Sequence, residues 1–278
     1  MVGRSNENYS ELWKKLPWKK FRINLFRLQK RVYKAIQVGD KRKARSLQKL
    51  ILKSRAARFL AIRKITQLNQ GKKTAGVDGL AKLTFKERFL IEPILQEFVN
   101  NWKHNKLREI SIPKKNGSTR KLKIPTIIDR CWQCLGLFAL EPAHEATFHE
   151  SSYGFRPGRS AHDAQKQVFL NLHSNKHGIY KRILEIDIEK CFDRINHSAI
   201  MNRLIAPCGL KLGIFRCLKA GKNPEFPKQG TCQGGVISPL LANIALNGIE
   251  KIHRYHAKNP RIRITPKTKE KDITYPSV

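Results

Sequence analysis

The sequence QGTCQGGVISPLLANI at residues 229–244 carries the most specific pattern in the chain. Three glycines within seven residues leave the backbone open to close approach by a ligand, and Gln233 offers both a donor and an acceptor. Ser238 and Pro239 predict a helix start, with serine as the N-cap and proline at the first helical position. A glycine-rich loop that leads into a helix is typical of phosphate or nucleotide contact, with a purely structural loop as the alternative.

Upstream of this loop, the segment ILEIDI at 183–188 alternates in a way that predicts a strand. Asp187 stands where that strand ends, and a carboxylate in this position is a favoured ligand for a divalent metal such as Mg²⁺. The alternative is that Asp187 caps the following helix. Phe192 lies five residues further on and is close enough in sequence to face the same site.

A β-hairpin is predicted at 110–125, ISIPKKNGSTRKLKIP, where apolar residues alternate on both arms and Asn-Gly forms the turn. Lys114 and Arg120 flank that turn. A rigid ribbon that holds several cations at fixed separation can grip a triphosphate. Ordinary solvated lysines and arginines are the alternative.

The chain has 278 residues, with 56 Lys and Arg against 21 Asp and Glu, a net charge of +35. More than half of this excess lies within residues 1–73, where an apolar face predicts one helix over 21–36. Asp40 is placed to cap a second helix with apolar residues from Leu47 to Ile65. A charge of this density indicates contact with a phosphate backbone, with solvated helices as the alternative.

The sequence disfavours a secretory signal, a membrane span and a zinc site. The first ten residues have no apolar core of a secretory signal, and the longest uncharged stretch is too polar to span a membrane, so we expect a cytoplasmic protein. Cys131 and Cys134, followed by His144 and His149, imitate a zinc site, but the cysteine–histidine gap is too short. Buried thiols at helical spacing explain the two cysteines better.

Five ordered segments together resemble the reverse transcriptases (maturases) encoded by bacterial group II introns. The segments are TAGVDG at 74–79, IPKKNGSTRKLKIPTIIDR at 112–130, SSYGFRPGRSAHDA at 151–164, EIDIEKCFDRINH at 185–197 and GTCQGGVISPLLANIALNGIE at 230–250. No single segment would suffice, but five in order over most of the chain make a specific match.

The resemblance implies an α+β fold, the fingers and part of the palm of a right-hand polymerase with a basic helical N-terminal extension. It implies a division into the extension at 1–73, which binds RNA, the fingers at 74–180 and a partial palm at 181–278. An unpaired palm edge would make the isolated fold prone to aggregation.

The resemblance also assigns roles to individual residues. Asp187 is similar to the first catalytic aspartate, with the Ile188 carbonyl as a further ligand of Mg²⁺. Phe192 is similar to the steric gate that excludes a ribose 2′-hydroxyl. The remaining assignments are to the nucleotide (Lys114, Arg120, Gln233 and Gly234) and to RNA or template (Lys72, Lys73, Arg156 and Arg159).

The implied activity is RNA-directed DNA synthesis, with intron RNA, an RNA template with DNA primer, and deoxynucleoside triphosphates as partners, and no membrane. Residues after Asp187 include no adjacent pair of acids, although the family carries an aromatic-Ala-Asp-Asp motif. We therefore expect the isolated chain to bind RNA without polymerising, and a second polypeptide that supplies the rest of the palm and the thumb is an expected partner. The alternatives are a non-catalytic splicing cofactor and a retron or CRISPR-associated reverse transcriptase.

Overall fold

A computed structural model describes residues 8–113, 117, 119–173, 185–221, 227–231 and 234–249. These residues form eleven α-helices and one two-stranded sheet: α1 Tyr9–Lys15, α2 Trp18–Gln37, α3 Lys41–Lys53, α4 Arg55–Arg63, α5 Phe85–Phe98, β1 Arg108–Pro113, β2 Thr119–Ile124, α6 Ile127–Glu145, α7 Ala161–Leu172, α8 Cys191–Arg194, α9 His197–Arg203, α10 Cys208–Ala220 and α11 Ser238–Leu246. A π-helical turn at Lys64–Leu68 and a 3-10 turn at Gln70–Lys73 follow α4.

The helices of the basic N-terminal region begin largely where the sequence predicts. α2 covers the predicted apolar face and buries Leu25 and Val32, and the Asp40 carboxylate accepts the Lys43 N–H at 2.8 Å to cap α3. The prediction of one continuous second helix is wrong, because Ser54 adopts an extended conformation and ends α3. The Ser54 hydroxyl then accepts the Ala57 N–H and starts α4, since a serine side chain can replace the missing helical partner.

The basic helices pack around α6, which is the centre of the hydrophobic core. Trp132, Leu135 and Leu140 of α6 are fully buried. The buried Gln48 side chain of α3 donates to the Ala139 carbonyl of α6 at 3.0 Å. The hydrophobic core therefore runs across the predicted boundary between residues 73 and 74. The division into an extension at 1–73 and fingers at 74–180 stays a prediction about function.

The predicted hairpin is confirmed, and the molecule is α+β with a small sheet among many helices. β1 and β2 pair antiparallel, with Ile110 opposite Leu122. The predicted strand at 183–188 is wrong over its described part, since 185–188 is irregular and exposed. A strand needs a hydrogen-bonding neighbour, and among the described residues β1 and β2 pair only with each other.

The helix that follows the glycine-rich loop starts one residue earlier than predicted. Ile237 already has a near-helical backbone, so Ser238 is the first residue of α11 and Pro239 the second, not the N-cap and first position. Leu241 and Ile244 are buried as the pattern indicates. Within the described chain, none of the helices combines the length and apolarity that crossing a bilayer requires.

Candidate nucleotide and template site

The loop at 227–231 lies directly against α8, so two of the predicted site segments meet. The Thr231 N–H donates to the Phe192 carbonyl at 2.7 Å, and the Gly230 N–H donates to the Ile195 carbonyl at 2.8 Å. These bonds anchor the glycine-rich loop to the main chain of α8 and of Ile195, the residue that follows it. The residue predicted as a steric gate and the loop predicted to hold the nucleotide are thus adjacent.

His197, the first residue of α9, adds a third anchor for this loop. Its N–H donates to the Lys228 carbonyl at 3.0 Å, and its Nε2 lies 2.7 Å from the Gly230 carbonyl oxygen. Because the side chain is buried, this contact fixes the loop from the inside. Sequence reasoning did not assign His197 a role, although it lies within one of the five quoted segments.

The glycines of the loop permit close approach between main chains. Gly230 has a φ of +90°, and a Cβ there would lie 2.9 Å from the Asp193 carbonyl oxygen. Gly234 has a φ of +126°, and its Cβ would lie 3.1 Å from the Lys123 carbonyl oxygen of β2. Both glycines thus allow close main-chain packing, and at Gly234 the main chain comes close to the hairpin. Nucleotide contact by this loop stays a prediction.

Phe192 lies between the core and the loop at 151–159. Its ring is partly buried against the core and meets the Phe155 ring edge-to-face, with centroids 6.2 Å apart and planes at 81°. Phe155 has a φ of +55°, which costs energy for a residue with a side chain and favours a fixed, non-repetitive turn. A third quoted segment, at 151–164, thereby joins the same cluster.

Asp187 stands at the exposed edge of this cluster. All residues from 185 to 190 are exposed, and Lys190, with a φ of +49°, occupies the N-cap position of α8 without a capping side chain. The alternative that Asp187 caps this helix is therefore not realised. Burial, together with the negative charge of Asp187, raises the pKa of the Cys191 thiol.

The residues present fit part of a divalent-metal site. An exposed carboxylate at Asp187, followed by the main-chain carbonyl of Ile188, is the oxygen chemistry that Mg²⁺ prefers. Among the described residues, no three histidine, cysteine, aspartate or glutamate side chains group together in a way that could hold a metal ion. The assignment of Asp187 as a metal ligand therefore stays a prediction, and the described part of the chain supplies no cluster that would complete such a site.

Arg156 is buried and holds the loop at 145–156 together. Its guanidinium donates to the Glu145 carboxylate at 2.5 and 3.0 Å and to the carbonyl of His149 at 2.6 Å. Arg159 is half-buried, donates to the Glu150 carbonyl and packs over an aromatic ring. The predicted template contact of both arginines stays a prediction, and the structure gives them the further task of shaping this loop.

The glycine-rich loop at 71–79 is fixed by α6. Arg130 donates to the Gly71 carbonyl at 2.8 Å and to the Thr74 carbonyl at 2.5 Å. Within the 3-10 turn at Gln70–Lys73, Lys72 donates to the Gln67 carbonyl, whereas Lys73 is exposed. Apart from its place in the quoted segment at 112–130, no pattern in the sequence indicated this role of Arg130.

Asp129, next to Arg130, gathers the residues before the hairpin. Its buried carboxylate accepts Trp102 Nε1–H at 2.8 Å and the Thr126 hydroxyl at 2.7 Å, and it lies 3.2 Å from His104 Nδ1. Burial alone would raise the pKa of Asp129, but hydrogen bonds from His104, Thr126 and Trp102 outweigh it and hold the pKa below its usual value. Asp129 and Arg130 thus organise the segments on both sides of the hairpin.

The remaining predicted residues have less structural description. Lys114 and Gln233 lie outside the described residues. For Arg120, the main chain pairs with Ile112 in the hairpin. Cys131 and Cys134 lie buried on α6, as expected for thiols at helical spacing, and burial raises the pKa of Cys134 to about 12.

Comparisons with known proteins agree with these motifs. Maturase-like protein 1 of Euglena gracilis is 43% identical over 236 residues, which cover 85% of this chain and 51% of that protein. Protein YkfC of Escherichia coli (strain K12) is 36% identical and covers 68% of this chain and 52% of its own length. The group II intron-encoded protein LtrA of Lactococcus lactis is 34% identical and covers 73% and 35%. The chain spans about half the length of the Euglena relatives it matches.

Two family models match most of the chain. Residues 13–94 match the N-terminal domain of reverse transcriptase, and residues 112–265 match reverse transcriptase (RNA-dependent DNA polymerase). The resemblance drawn from the five segments is thereby confirmed. Because the second match alone covers more than half of its residues, the chain belongs to the reverse transcriptase (RNA-dependent DNA polymerase) family.

Proposed function

We propose that this chain supplies the template-binding and nucleotide-binding part of an RNA-directed DNA polymerase encoded by a group II intron. The carrying observation is the convergence on α8: the loop at 227–231 is bonded to its main chain, and the loop at 151–159 packs on Phe192. Gly234 joins the hairpin to the same cluster. Segments that are distant in sequence thus meet at α8, which begins four residues after Asp187.

Within this proposal, Asp187 and the Ile188 carbonyl hold Mg²⁺ together with water, because Mg²⁺ keeps part of its hydration shell. When bound, the metal would activate a primer 3′-hydroxyl and neutralise the leaving pyrophosphate. Phe192 occupies the space that a ribose 2′-hydroxyl would need. Its packing against the core and against Phe155 gives the ring the fixed position that such exclusion requires.

The proposed fold is the fingers and part of the palm of a right-hand polymerase, divided functionally at 1–73, 74–180 and 181–278. Lys114 and Arg120 of the hairpin segment and Gln233 of the glycine-rich loop before α11 are assigned to the incoming triphosphate. RNA is assigned to the basic N-terminal helices, to the loop that holds Lys72 and Lys73, and to the loop shaped by Arg156 and Arg159. Intron RNA, an RNA template with DNA primer, and deoxynucleotides are the proposed partners.

The test is template-primed DNA synthesis with Mg²⁺, measured beside binding of the same RNA–DNA substrate. Since the described residues supply one carboxylate of the metal site, we expect the chain alone to bind the substrate without extending it. Synthesis that Asp187→Asn abolishes would support the family activity and contradict this inactivity. Failure to bind RNA at low salt would contradict the proposed function as a whole.

A second candidate function is RNA binding in splicing without DNA synthesis. The Euglena relatives bear the name maturase-like protein, which is compatible with this candidate and with the polymerase alike. A chain supplemented with the remaining half of such a relative distinguishes the two functions. Restored, Asp187-dependent synthesis would support the polymerase, whereas accelerated intron splicing without synthesis would support the cofactor.

A further inference from the structure

Helix α2 carries an exposed aromatic side chain in the middle of a basic surface. Phe26 is 65% exposed, whereas Leu25 and Val32 of the same helix are buried and fix its orientation on the core. The helix contains seven lysines and arginines and no acidic residue. A single exposed apolar side chain is common on a protein surface, so what sets Phe26 apart is the cationic surface around its ring.

Two of the four neighbours of Phe26 on the helix surface are cationic. Residues three and four positions away share a face, which places Arg22, Ile23, Gln29 and Lys30 around the ring. Gln29 donates to the Phe138 carbonyl at 3.0 Å. Arg22 and Lys30 are exposed, and Ile23 is 42% exposed. An aromatic ring flanked by cations on a polyanion-binding surface has the chemistry of a single-stranded nucleic acid site, since the cations attract phosphate and the ring stacks on a base.

We infer that Phe26 is a stacking platform for an unpaired RNA base, with Arg22 and Lys30 on the flanking phosphates. The inference rests on the proposed RNA binding and names the kind of RNA that this surface takes: a loop, bulge or single strand. Bases in a duplex are already stacked and cannot cover the ring, whereas unpaired bases are free to do so. Charge complementarity with the net charge of +35 selects a nucleic acid as the occupant.

Helix α7 provides a matched control for Phe26. Phe169 of α7 is 64% exposed, so its ring is presented to water to the same extent. Its helix has one acidic residue, Asp163, and a single lysine, Lys166, which lies three positions before the ring, against seven lysines and arginines in α2. Phe169 therefore has one flanking lysine on a helix of low positive charge, where Phe26 has two flanking cations on a strongly basic one. Loss of either ring from the surface removes the same exposed apolar area, and only loss of Phe26 removes a ring within a basic surface.

The experiment measures affinity of the full chain for an RNA hairpin with an unpaired loop and for a blunt duplex, each over a salt titration. We expect Phe26→Ala to weaken hairpin binding by about tenfold with an unchanged salt slope, because stacking is not electrostatic. Phe26→Trp restores binding, and Phe169→Ala leaves it unchanged. Arg22→Gln is expected to reduce the salt slope by about 0.7–0.9, the contribution of one phosphate contact.

Several outcomes would overturn the inference. They are wild-type affinity in Phe26→Ala, an equal loss for duplex and hairpin, and an equal loss in Phe169→Ala. Binding of anionic phospholipid vesicles in preference to RNA, lost in Phe26→Ala, would assign the surface to a membrane. A wild-type chain that binds neither RNA would contradict the proposed function as well, whereas wild-type RNA binding that is insensitive to Phe26 contradicts this inference alone.

Discussion

Replacing Gly230 with alanine tests whether the glycine-rich loop is fixed by main-chain contact with α8. At a φ of +90° a side chain in the left-handed region costs roughly 1–2 kcal/mol. The added Cβ would also lie 2.9 Å from the Asp193 carbonyl oxygen, a main-chain atom that cannot rotate away. Overpacking of this kind costs about 1–3 kcal/mol. Together the two costs should lower the free energy of unfolding of Gly230→Ala by about 2–5 kcal/mol.

The control is Gly39, at the turn between α2 and α3. It has a similar φ of +79°, and a Cβ there would meet no atom within 4 Å. Gly39→Ala therefore carries the conformational cost without the steric one, about 1–2 kcal/mol. The difference between the two variants isolates the contact between Gly230 and α8.

Two measurements read out this difference. Urea denaturation gives the free energy of unfolding of each variant, and titration with a deoxynucleotide and Mg²⁺ gives its affinity. We expect Gly230→Ala to lose more stability than Gly39→Ala and to lose deoxynucleotide affinity, which Gly39→Ala retains. Equal losses of stability in both variants, with unchanged deoxynucleotide affinity, would refute the contact between this loop and α8.

Three further changes test the core and the loop that α6 holds. Arg130→Gln removes the guanidinium donors to the loop at 71–79, so the free energy of unfolding should fall by roughly 3 kcal/mol. Trypsin should also cut faster at 72–73, and unaltered cleavage would contradict this role of Arg130. Burial lowers the pKa of His144 from 6.5 to about 4. Between these pH values the unfolded chain binds the proton and the folded chain does not, so the free energy of unfolding should fall by up to about 3 kcal/mol as the pH drops. A His144→Gln variant should lack this fall in urea titrations. Gly213→Ala places a Cβ 2.3 Å from the Trp132 ring and should lower the melting temperature, which calorimetry measures.

Local signals in the sequence predicted the elements whose causes are themselves local. Asp40 caps its helix because the side chain and the N–H that it accepts are three residues apart. The hairpin pairs in the register that its alternation favours. The break at Ser54 was missed, since a serine within a long apolar pattern is compatible with either a helix interior or a cap.

Distant partners explain what the sequence could not predict. The segment at 185–188 has alternating residues, but no strand forms there within the described structure, because a neighbour and not a pattern decides whether a strand exists. Similarly, Asp129 and Arg130 were not singled out, since their partners other than Thr126 lie far away in sequence: Trp102 is 27 residues from Asp129, and Gly71 is 59 residues from Arg130. The motif at 112–130 indicated a family resemblance, and only the fold shows which contacts Asp129 and Arg130 make within it.

The buried arginines show why net charge alone does not locate an RNA surface. Arg58 pairs with Glu92 at 2.7 Å, Arg130 donates to loop carbonyls, and Arg156 pairs with Glu145. Each of these guanidiniums is committed to a partner within the protein, and each was part of the same positive excess in the sequence. Because desolvated cations need such partners, the charge that remains for phosphate lies on exposed faces. The face of α2 around Phe26 therefore has the stronger claim to RNA than the arginines of the central loops.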